Sequence, residues 1–83
     1  MSTDLIHFRR YAQEELNNRF PNVEVSIDEL SLHERQGNYY YRIYTWIDRK
    51  LCIGTGPSQG KAIDEAIAAF SDYSSDSEHI NIQ

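Results

Sequence analysis

The chain has 83 residues, 40% hydrophobic and 12% aromatic, and its eight Lys and Arg against thirteen Asp and Glu give a formal charge of −5. That length admits one domain with one modest core, because a chain this short buries only about 60% of its unfolded surface. A charged fraction of 25% excludes wholesale disorder, and the acidic balance repels nucleic-acid phosphates at long range.

From Thr3 to Phe20 the apolar residues Leu5, Phe8, Ala12, Leu16 and Phe20 recur every three or four positions, which predicts an amphipathic helix. Ser2 or Thr3 suits its N-cap, Asp4 suits the positive end of its dipole, and Pro21 stops it. Arg9, Arg10, Gln13 and Asn17 fall on the solvent side.

After Pro21 the period changes to two: Val23, Val25 and Ile27 alternate with Glu24, Ser26 and Asp28, as a half-buried strand requires. The apolar residues then move to even positions, Leu30 and Leu32, which predicts a β-bulge near Asp28 and Glu29. His33 to Asn38 is polar, contains Gly37 and is predicted to be a hairpin loop. Tyr39 to Ile47, dense in aromatic and β-branched residues, is a second strand. Asp48, Arg49 and Lys50 turn into a third strand, Leu51 to Ile53, ending at Gly54 and Gly56. Ser58 then caps a second helix marked by Ala62, Ile63, Ala66, Ile67, Phe70 and Tyr73.

These elements predict an α+β domain over residues 3–73, a two-layer α-β-β-β-α sandwich. Its three-stranded antiparallel meander carries both helices on one face. Residues 74–83 are acidic and Ser-rich, with two isolated isoleucines, and are expected to form a disordered tail.

The segment IGTGPSQGKAIDEAIAAF, from Ile53 to Phe70, follows a helix and three strands and resembles the double-stranded RNA-binding domain. That family joins its third strand to its last helix through a G-x-G-x-S segment, matched by Gly54, Gly56 and Ser58, with Ala62 and Ala66 at the small packing positions. By element order the resemblance covers residues 3–73 and implies the family's fold. Members that grip duplex RNA cluster lysines at the start of the last helix. Here those positions read Gln59, Gly60, Lys61, Ala62 and Ile63, and Asp64 and Glu65 follow. The first hairpin loop reads HERQGN in place of the family's Gly-Pro, with His33 standing for a groove-contacting histidine. The resemblance thus implies His33, Ser58, Gln59 and Lys61 as RNA- or phosphate-binding candidates, with duplex RNA disfavoured as a partner by charge. A helix N-terminus attracts phosphate, and simple N-capping accounts for Ser58 without any ligand.

Alternation in the second strand sends Tyr39, Tyr41, Ile43, Thr45 and Ile47 to one side, the expected core, and Tyr40, Arg42, Tyr44 and Trp46 to the other. With both helices on the core side, these last four project from an open face. They make either a platform for a protein partner or a cross-strand ladder in which Arg42 pairs with Glu24 or Asp28. Stacking of single-stranded nucleic acid is opposed by Glu24 and Asp28. The adjacent basic pairs Arg9–Arg10 and Arg49–Lys50 are expected to be solvated.

His7, His33 and His79 are scattered without Cys or paired carboxylates at ligand spacing, so no metal is expected. Glu14–Glu15 and Asp64–Glu65 are adjacent on helices and diverge, which denies them acid–base convergence, and no cofactor motif occurs. The lone Cys52 sits mid-strand, is expected to be inert, and suits a reducing, cytoplasmic setting. No apolar run approaches the ~20 residues of a membrane span. These features predict a non-catalytic, small acidic interaction protein that contacts its partner through the open sheet face, the first helix or the acidic second helix, and that regulates or inhibits a basic partner, such as one that handles nucleic acid. Weak double-stranded RNA binding is the alternative.

Overall fold

A computed structural model of the chain describes the backbone of residues 3–82 and the side chains of residues 5–73. Five elements follow in order: α1 (Thr3–Arg19), β1 (Val25–Arg35), β2 (Asn38–Ile47), β3 (Lys50–Gly56) and α2 (Gln59–Ile82). The strands form one antiparallel sheet in the order β1-β2-β3. This is the expected α+β class, and its α-β-β-β-α sandwich topology is like that of the double-stranded RNA-binding domain.

In α1 the three- and four-residue spacing buries Phe8, Ala12 and Leu16 completely, with Leu5 and Phe20 partly buried beside them. The Phe20 N–H donates to the Leu16 carbonyl at 2.9 Å before Pro21 breaks the ladder. On the solvent side Gln13 Nε2 donates to Asn17 Oδ1, one turn on, at 3.1 Å. The expected caps at Ser2 and Thr3 lie outside the described side chains.

β1 carries the expected bulge, between Ile27 and Glu29, so Val25, Ile27, Leu30 and Leu32 all face the helices despite their change of parity. The first hairpin is tighter than its polar sequence suggests. Pairing continues to Arg35–Asn38, and only Gln36 (φ 55°) and Gly37 (φ 82°) turn the chain, both left-handed as a type I′ turn demands. His33 is therefore a strand residue, not a loop residue. The second hairpin uses the same device with Asp48 (φ 51°) and Arg49 (φ 68°).

β3 runs on through Gly54 and Gly56, which were expected to end it. The reason is the close passage of α2. A Cβ on Gly54 would strike the Ala62 carbonyl oxygen, and one on Gly56 would meet the Lys61 side chain. Glycine here admits a helix, not a turn. The Lys61 N–H donates to Ser58 Oγ at 3.2 Å, the N3-to-N-cap bond that opens α2. Residues 74–82, read from the sequence as part of a disordered tail, carry the backbone of α2 on to Ile82, and their side chains lie outside those described.

Both helices press on one side of the sheet, where Phe8 and Leu16 of α1, Ile43 and Ile47 of β2, Cys52 of β3 and Ile63 of α2 are buried together. Each large apolar side chain removed from water there contributes roughly 1.5–3 kcal/mol. Edge-on ring pairs extend the core: Phe8 on Tyr41 at 5.3 Å and Phe20 on Phe70 at 5.1 Å. Thr45 is fully buried and directs Oγ1 to the Ser26 carbonyl at 2.9 Å, so this polar group costs the core little.

Candidate interaction surface

The side of the sheet away from the helices is fixed by register. Along β2 the residues Tyr40, Arg42, Tyr44 and Trp46 alternate with the buried Ile43, Thr45 and Ile47 and so lie on that open side. Pairing sets Ser26 opposite Trp46, Glu29 opposite Tyr44, Ser31 opposite Arg42 and His33 opposite Tyr40. From β3, Leu51 lies opposite Trp46, Ile53 opposite Tyr44 and Thr55 opposite Arg42.

Leu51 and Ile53 join this surface without having been foreseen in it. The inward placement of Cys52 and Gly54 sends them outward, and Ile53 is 46% exposed beside Trp46 at 41%. Trp46, Leu51, Tyr44 and Ile53 form an apolar band across two neighbouring strands. A concavity of about 290 Å³ adjoins its Trp46 end, lined by Glu24, Ser26, Trp46 and Arg49.

The expected pairing of Arg42 with Glu24 or Asp28 is corrected by the register. Arg42 stands between Ser31 and Thr55, while Glu24 precedes β1 and Asp28 occupies the bulge. Its guanidinium instead lies 5.8 Å from the centre of the Tyr40 ring. His33 stacks on that same ring at 5.0 Å and 18°, and its Nε2 shares a 2.8 Å hydrogen bond with Ser31 Oγ.

The four residues singled out for RNA or phosphate do not gather. Ser58, Gln59 and Lys61 sit at the start of α2, in the helical layer, with Ser58 Oγ engaged as the cap. His33 lies on the opposite side of the sheet with Tyr40. The helical layer brings Tyr11 of α1 close to α2 instead: its hydroxyl would be 3.7 Å from a Cβ on Gly60. Of the basic pairs, Arg9 and Arg10 are exposed on α1. Lys50 Nζ lies 5.9 Å from the centre of the Phe70 ring, and Arg49 lines the concavity by Trp46.

Cys52 is fully buried, and burial pushes its thiol up from the ordinary value of 9.0, opposed by the charge of Lys50. It is a neutral thiol, with Sγ 3.5 Å from the Lys50 carbonyl oxygen. Among the described residues no three His, Cys, Asp or Glu side chains gather as metal ligands would, and no helix is long and apolar enough to cross a membrane.

No protein-family profile, curated protein or solved structure matches the chain. The likeness to the double-stranded RNA-binding domain is one of topology.

Proposed function

We propose that this domain is a non-catalytic interaction module that docks another protein on its open sheet face. One observation carries the reading: four large apolar and aromatic side chains, Tyr44, Trp46, Leu51 and Ile53, form a band on the sheet face away from the core, with Ala69, Asp72 and Tyr73 of α2 adjoining it only at its Leu51 and Ile53 edge among the described residues. Tyr and Trp bury large area at small entropic cost, which is why such residues anchor protein interfaces. The formal charge of −5 favours a partner that is basic overall, drawn in at long range, as a regulator or inhibitor of such a protein would require.

Grip on duplex RNA has less support. It would need a cluster of lysines at the start of α2, where Lys61 is the one lysine and Asp64 and Glu65 follow, and His33 is engaged with Tyr40 and Ser31.

The test is affinity capture by the full chain, the Tyr44→Ser/Trp46→Ser variant and an exposed-helix control, Ala68→Ser, with duplex RNA as a parallel arm. The docking reading expects capture to be lost in the double variant alone and RNA binding to be absent at low salt. Capture that survives the double variant overturns it. RNA binding that weakens steeply with salt would favour the RNA reading instead.

A further inference from the structure

The hairpin end of the open face is locally basic. A concavity of about 410 Å³ lies there, lined by Arg35, Tyr39, Tyr40, Arg42, Thr55 and Pro57 among others. Its lining has two guanidinium groups and no carboxylate, in a chain with thirteen acidic residues against eight basic. The concavity by Trp46 instead combines Glu24 with Arg49.

Register explains the convergence. Beyond the bulge, β1 sends Ser31, His33 and Arg35 to the open side, and β2 adds Arg42 between Ser31 and Thr55. Glu34, opposite Tyr39, is outside the lining. Glu29 is on the open side but opposite Tyr44, outside the lining. Arg42 is half-buried and placed over Tyr40, a ring that His33 also holds by stacking. A guanidinium positioned in advance loses less freedom when it binds.

We infer that this concavity seats a carboxylate side chain of the docked protein, carried on an extended segment whose apolar residue covers Trp46. The inference rests on the docking proposed above and adds the chemistry at one end of the surface. A carboxylate presents two coplanar oxygens that fit the guanidinium fork. Phosphate sites commonly add lysine or helix N-terminal amides. Here no lysine is in the lining, the Lys61 amide at the start of α2 is already taken by Ser58 Oγ, and the acidic chain disfavours polyanions. A strand rises about 3.3 Å per residue, so Arg42 and Trp46 are about 13 Å apart, and the partner's acid should stand about four residues from its apolar anchor.

The test is an NMR titration of the full chain with sodium acetate and, separately, sodium phosphate at matched ionic strength. Acetate should give saturable shifts at the Arg35 and Arg42 Nε–H groups and the Thr55 amide. Arg42→Gln and Arg35→Gln should each weaken binding about tenfold, the loss of a charge-assisted hydrogen bond, and Arg42→Lys should fall in between because it keeps the charge without the fork. Resonances of the buried core report whether each variant is folded, and Arg35, exposed beside the hairpin, can be changed without disturbing that core. Saturation by phosphate but not acetate, or no saturable shift with either, overturns the inference. If acetate fails to bind while capture still depends on Tyr44 and Trp46, the carboxylate seat falls and the docking stands. If acetate binds but capture ignores those residues, both fall.

Discussion

Gly54 lies so close under α2 that a Cβ built on it would be 2.6 Å from the amide nitrogen of Ala66. The contact is backbone against backbone, so no side-chain rotation relieves it. Gly54→Ala should force α2 off β3 and cost about 3 kcal/mol, toward the upper end for overpacking. Gly37→Ala, at φ 82° with nothing within 4 Å, should cost only about 1 kcal/mol of left-handed backbone strain. Urea denaturation of both variants checks the order, and equal losses would show that α2 does not press on Gly54.

The second hairpin turns through two non-glycine residues, Asp48 and Arg49, both at positive φ. Type I′ turns favour Asn-Gly at these positions. Asp48→Asn/Arg49→Gly should therefore raise stability by about 1 kcal/mol, seen as a higher urea midpoint with an unchanged slope. An unchanged or lower midpoint would mean that the left-handed pair carries no strain.

Cys52 has its thiol held above 9.0 by burial, with Lys50 in opposition. In the unfolded chain the thiol ionises first as pH rises, so its contribution to stability is complete below 9.0 and is lost as the pH climbs toward the folded thiol's higher value. The stability of wild type minus that of Cys52→Ala should thus be flat up to about 9 and fall above it. The folded thiol should also resist a disulfide exchange reagent until denaturant is added. Rapid labelling of the folded chain would contradict its burial.

Much of the fold is legible in local pattern. The spacing of Phe8, Ala12 and Leu16 marks α1, and the parity change from Ile27 to Leu30 marks the bulge that the sheet carries. What local pattern hides is set by distant neighbours. Gly54 and Gly56 look like strand breakers, because their true cause is a helix that returns above them. The polar run from His33 looks like a loop because its residues pair at the hairpin end, far from the buried core. Tyr40, Arg42, Tyr44 and Trp46 follow from alternation, while Leu51 and Ile53 do not, since the short third strand gives no sign of which residues face inward. The neighbours of Arg42 depend on register across a bulge, and that is a property of the paired strands.

The most direct measurement replaces one residue at a time with a photo-crosslinking phenylalanine, at Trp46 or Ile53 on the open face and at Ile6 or Ala68 on the exposed helix surfaces. Illumination with the captured partner should give adducts from positions 46 and 53 and none from 6 or 68. Adducts from the helix positions alone would contradict docking on the sheet.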